Sequence, residues 1–99
     1  MKRIIDFFSD KIRSGSQVAV DFTTGNCTFN SFITVEAVYI EHSLEENKTL
    51  NTTKDNKVIH INHRNGEIEI LLSSTDTITY NKEEGYIEIC TDYGSYAFG

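Results

Sequence analysis

The stretch Val58 to Leu72, VIHINHRNGEIEILL, carries two of the chain's three histidines, His60 and His63, three positions apart, with Glu67 and Glu69 close behind. Imidazoles and carboxylates at close quarters are the raw material of a metal site or an acid/base pair. The pattern around them points to a hairpin first. Asn65-Gly66 lies between two runs in which isoleucine alternates with polar residues, and both residue types tolerate the positive φ of a tight two-residue turn. With Asn65 and Gly66 as that turn, Arg64 opposes Glu67, Asn62 opposes Glu69, Ile61 opposes Ile70 and His60 opposes Leu71. Ile59, Ile61, Ile68, Ile70 and Leu72 then share the core face. His60 and His63, an odd number apart, project to opposite faces and cannot chelate one ion. His60, Asn62 and Glu69 stay together on the solvent face, Glu69 diagonal to His60. One imidazole and one carboxylate are half a site, and His42 completes it only if its strand is a neighbour. The expectation is surface histidines, with no metal and no cofactor.

Other chemistry fares no better. Cys27 and Cys90 sit in alternating, strand-like runs rather than at a helix N-terminus or beside cations, where a thiolate is favoured; they read as buried or half-buried thiols in a reducing compartment. Ser73 and Ser74 lack a G-x-S-x-G elbow around them, and no glycine-rich loop precedes a helix. Glu67 with Glu69, and Glu83 with Glu84, read as a solvated strand face and a turn. No enzyme is expected.

Charge is more informative. The 99 residues carry a net charge of -6 at pH 7. Lys2, Arg3, Lys11 and Arg13 make the first thirteen residues positive against Asp6 and Asp10, whereas from Glu67 onward Glu67, Glu69, Asp76, Glu83, Glu84, Glu88 and Asp92 face only Lys82. Binding to nucleic acid requires cations that displace counterions from phosphates. The acidic half would repel that backbone and suits a basic protein surface. No apolar stretch approaches the length of a membrane span, and the charged start MKRIIDFFSDKIRS is unlike a signal peptide, so a soluble, cytoplasmic protein is expected.

The elements that position these residues follow from periodicity. Ile4, Ile5, Phe8 and Ile12 recur on one face, with Phe7 at its edge, which predicts an amphipathic helix over about 2–13, stopped by Ser14-Gly15. So short a helix must lie on something. From 17 to 98 the chain is β-rich. Val18, Val20 and Phe22 alternate, Thr24-Gly25-Asn26 reverses the chain, and Cys27, Phe29, Ile33 and Val35 share one phase of a run reaching His42. That phase slips near Ala37, as a bulge or strand break would make it. Residues 43–57, SLEENKTLNTTKDNK, read as a long polar loop, with Ser43 able to cap a short helical turn. Ile78 and Tyr80 form a short strand, 81–85 a turn, and Ile87 and Ile89 another strand. The expected fold is α+β in a single domain, 1–99. In it the N-terminal helix packs on a curved, mostly antiparallel sheet of five or six strands, open or closed into a small barrel.

Tyr93 and Tyr96, with Tyr86 and Phe98 near them, read either as rings that close the core or as interface anchors. Stacking on single-stranded bases needs a basic groove, and their neighbours are Glu84, Glu88 and Asp92. The expected function is therefore a small acidic, non-catalytic protein-binding module. It would act as an inhibitor or regulator that docks on a basic surface of a partner such as a nucleic-acid enzyme, in the manner of bacterial immunity or phage anti-defence proteins. Glu67, Glu69, Glu83, Glu84, Glu88 and Asp92 would supply charge, and Tyr93 and Tyr96 aromatic anchors. It would be a monomer or homodimer, with no direct contact to nucleic acid or membrane. A subunit building a homo-oligomer is the alternative, and a small barrel binding a ligand or oligonucleotide the third.

Overall fold

The computed structural model describes residues 2–50, 52–72 and 77–99. Among these residues one helix, α1 (Lys2–Ser14), precedes eight strands: β1 (Val18–Thr24), β2 (Cys27–Ile33), β3 (Val35–Asn47), β4 (Thr52–His63), β5 (Gly66–Leu72), β6 (Thr77–Asn81), β7 (Tyr86–Thr91) and β8 (Gly94–Phe98). Every strand pairing is antiparallel.

The strands form two open sheets rather than the single sheet or barrel expected. One has the order β2-β1-β8-β7-β6 and the other β3-β4-β5. The division falls where the alternation slips. Thr34 separates β2 from β3, and a bulge at Glu36 shifts the β3 register between Val35↔His63 and Ala37↔Asn62. A strand that bends there leaves its first sheet and starts a second. The last strand completes the separation, because β8 returns between β1 and β7 and takes up the hydrogen-bonding edges of both. Its end is fastened by Gly99, whose N–H donates to the Ala19 carbonyl at 2.9 Å while its own carbonyl accepts from Ala19 at 3.0 Å.

Period-two patterning fills the space between the sheets. Val18, Val20, Ile33, Ile87, Ile89 and Phe98 come from one inner face, and Val35, Ile59, Ile61, Ile70 and Leu72 from the other. The helix adds Ile4, Phe7 and Phe8, and lies against β3 and β7, one strand from each sheet. Phe7, expected at the margin of the apolar face, is buried, whereas Ile5 is only half-buried. The aromatic rings set this rotation: Phe8 meets Phe98 edge-on at 5.1 Å and Phe7 meets Tyr80 at 6.2 Å. Each such buried side chain contributes about 1.5–3 kcal/mol of transfer free energy. Gly15, at φ +68°, ends the helix and donates its N–H to the Ile12 carbonyl, as the Ser14-Gly15 stop predicts.

Two further expectations change. Residues 43–57 are not a loop with a helical turn at Ser43: β3 continues to Asn47 and β4 begins at Thr52, so most of the segment is a long hairpin. A sequence so predominantly polar has no apolar alternation to announce a strand, and the backbone ladder alone defines it. Cys27 is exposed rather than buried: it opens β2, the edge strand of its sheet, whose residues up to Phe32 are all exposed; Cys90 is half-buried.

Candidate functional site

The outer face of β3-β4-β5 holds the chain's densest cluster of titratable side chains among the described residues. His60 stands in the central strand, β4. Strand pairing places Tyr39 of β3 on one side of it and Glu69 of β5 on the other. Glu41, two residues along β3, and Glu67, two residues along β5, lie on the same face as diagonal neighbours.

These five side chains close on one another. His60 Nδ1 is 2.7 Å from Glu67 Oε1 and 3.6 Å from Glu69 Oε1, and Nε2 is 2.8 Å from Glu41 Oε2. The Tyr39 ring lies over the imidazole at 4.5 Å with an interplanar angle of 8°. On a face turned to solvent, His60 is left only 7% exposed. The hydrogen bond to Glu67 holds the imidazole pKa above its ordinary value against the opposing pull of burial, with Glu41 and the charge of Glu69 adding to the rise. Burial and the same three carboxylates push the Tyr39 hydroxyl up as well. The arrangement is an imidazole clamped between carboxylates of the two flanking strands, which favour its protonated form.

The sequence places only part of this. The opposite facing of His60 and His63 stands. His42 falls on the face away from His60, opposite Lys57, and does not join the cluster. The hairpin register differs from the expected one: the turn is Arg64-Asn65, and Gly66 already pairs with His63. Two donors hold this turn, the Asn65 N–H to His63 Nδ1 at 3.3 Å and the Arg64 N–H to the Thr34 carbonyl at 3.1 Å. The change preserves the core face but brings Glu69 directly opposite His60 and Glu67 within reach of it. Tyr39 and Glu41 were missed, since nothing local says that β3 pairs with β4. Their shared phase in V-E-A-V-Y-I-E-H is the one available signal.

The other candidate residues do not join this site. Glu83 and Glu84 are exposed in the β6–β7 turn, where the Glu84 N–H donates to Asn81 Oδ1. Glu88 lies on the outer face of the other sheet and accepts from Cys90 Sγ at 3.2 Å. Asp92 and Tyr93 occupy the β7–β8 turn, Tyr93 exposed and tied to the chain through its backbone. Tyr96 is half-buried on the inner face, stacked on Phe22 at 4.5 Å, so it packs rather than projects. Ser73 and Ser74 lie outside the described residues. A cleft of about 250 Å³ beside α1, lined by Asp6, Ser9, Asp10, Arg13, Tyr80 and Lys82, is polar and of mixed charge, with Arg13 paired to Asp10. No helix among the described residues is long and apolar enough to cross a membrane. Comparison with protein-family models, curated proteins and solved structures finds no match to the chain.

Proposed function

We propose that the chain is a non-catalytic, cytoplasmic protein-binding module whose docking surface is the outer face of β3-β4-β5, and that its partner presents a cationic surface. One observation carries this reading. Glu41, Glu67 and Glu69 converge on a single imidazole, so three carboxylates face at most one positive charge, and their side chains remain 58%, 38% and 61% exposed. Tyr39 and Leu71, both large and exposed, lie on the same face. Carboxylates beside apolar surface are what an arginine- or lysine-rich partner engages, through both charge and side-chain stem. A nucleic-acid enzyme, inhibited at the cationic surface that holds phosphates, is the partner class that this chemistry fits. Glu83, Glu84, Glu88, Asp92 and Tyr93 then add to the field that steers encounter rather than to the contact.

The test is capture from the native host with the wild-type chain and with an E41K/E69K variant as bait. The reading expects a basic protein retained by the wild type at low salt, released at high salt, and absent from the variant. The same proteins on both baits would overturn it.

A second reading, self-assembly, is favoured by edge strand β2. CTFNSFI carries no charge or proline, and Phe29 and Phe32 are 61% and 71% exposed on its two faces. Such an edge invites pairing with another strand. A larger species on size measurement of the pure chain, lost in a Phe32→Lys variant, would favour this reading.

A further inference from the structure

We propose that His60, Glu67 and Glu69 form a binding site for a divalent transition-metal ion of the zinc class. Their donor atoms, one imidazole nitrogen and one oxygen from each carboxylate, all lie within 4.8 Å of one another. Ligands about 2.1 Å from zinc in tetrahedral array stand about 3.4 Å apart. The Nδ1 separations of 2.7 Å and 3.6 Å from Glu67 and Glu69 bracket that value. An ion enters by an outward swing of Glu67, whose partly exposed side chain exchanges its hydrogen bond to Nδ1 for a bond to the ion.

The orientation of the imidazole suits the same ligand. Nε2 faces Glu41 Oε2 at 2.8 Å. An Nε2–H donated to that carboxylate leaves the Nδ1 lone pair directed at Glu67 and Glu69. This is the carboxylate–histidine–metal arrangement, in which the outer carboxylate selects the tautomer and raises the basicity of the ligating nitrogen. The Tyr39 ring, parallel to the imidazole, keeps it from turning away. In the doubly protonated imidazole, Nδ1–H donates to Glu67. Binding exchanges that proton for the ion and releases it to solvent.

The donor set also selects the ion. Calcium and magnesium take oxygen ligands, whereas an imidazole nitrogen favours zinc and its neighbours among the first-row metals. Three protein ligands leave a fourth position, on the solvent side, for water. His42 and His63 lie on the opposite face of the sheet, and Cys27 and Cys90 on the other sheet, so none completes this set.

The experiment uses the full chain alone, stripped with a chelator, so its outcome is separate from that of the docking proposal. Zinc, and in parallel magnesium, is titrated calorimetrically while the His60 ring nitrogens are followed by NMR. The site predicts one equivalent of zinc, no comparable magnesium binding, and a large shift of the His60 Nδ1 resonance. Affinity should fall at least 100-fold in E67Q/E69Q and about 10-fold in Glu41→Gln, a positioning residue. It should also weaken about tenfold for each pH unit below the point at which His60 takes up its proton. Circular dichroism of each variant confirms that its strands persist. The proposal is overturned by zinc binding that does not saturate, by equal affinity in E67Q/E69Q, or by saturation that leaves His60 Nδ1 unshifted.

Discussion

His60 Nδ1 and Glu67 Oε1 meet at 2.7 Å across the β4–β5 ladder, although their residues stand two rungs apart rather than opposite each other. The contact works because Glu69, directly opposite, leaves room for the diagonal neighbour to reach over, while Tyr39 holds the imidazole flat. It makes His60 a base whose protonated form is bound more tightly by the folded chain than by the unfolded one.

The sign of the pH dependence follows. With the folded pKa raised above the unfolded value near 6.5, the stabilising contribution is fully present below about pH 6.5 and is lost as pH rises through the folded value. Chelator-treated protein should therefore have a lower urea midpoint at pH 9 than at pH 6. The drop should shrink in Glu67→Gln, whose His60 should titrate closer to 6.5 by NMR. An equal drop in wild type and variant would remove the Glu67 contact as its cause.

Gly94 opens β8 where a Cβ would stand 2.5 Å from the Thr23 carbonyl oxygen and 2.9 Å from the Phe22 ring. Backbone on the other side cannot yield without loosening the β1–β8 ladder. Gly94→Ala should cost about 1–3 kcal/mol by chemical denaturation. Gly99→Ala, with 3.7 Å to the nearest atom outside its chain neighbours, should change stability by less than about 0.5 kcal/mol.

Phe8 is fully buried and meets both Phe7 and Phe98 edge-on. Its replacement by alanine removes the ring that joins helix to sheet, for a cost of about 3–5 kcal/mol. Against a total stability of about 5–15 kcal/mol, that loss should lower the thermal midpoint by many degrees. Ile5→Ala, at a half-buried position, should cost clearly less.

The two thiols should differ in reactivity. Cys27 is exposed on the edge strand, whereas Cys90 is half-buried, donates to Glu88 and accepts from Ser95 at 3.7 Å. A thiol reagent under native conditions should modify Cys27 first, leaving Cys90 until the chain is unfolded. Equal rates would contradict the placement of β2 at the sheet edge.

What the sequence alone determines here is local. The spacing of Ile4, Phe8 and Ile12 sets the helix, alternation sets which isoleucines of β4 and β5 face inward, and an odd separation puts His60 and His63 on opposite faces. These properties depend on neighbours within a few residues, and periods of 3.6 and 2.0 report them directly. The slip near Ala37 belongs to the same class: it marks the bulge, though not that two sheets part there.

What the tertiary structure decides is pairing and cover. That β3 lies beside β4, bringing Tyr39 and Glu41 to His60, is a choice among strands with similar patterns, made by the core as a whole. The one-residue displacement of the turn to Arg64-Asn65 depends on donors satisfied by His63 and by the distant Thr34. Cover explains the rest: Cys27 and Phe29 share the inward phase of Ile33, yet only Ile33 is buried, so an apolar phase ends in solvent. Alternation states which way a side chain points; only the packed chain states what it meets there.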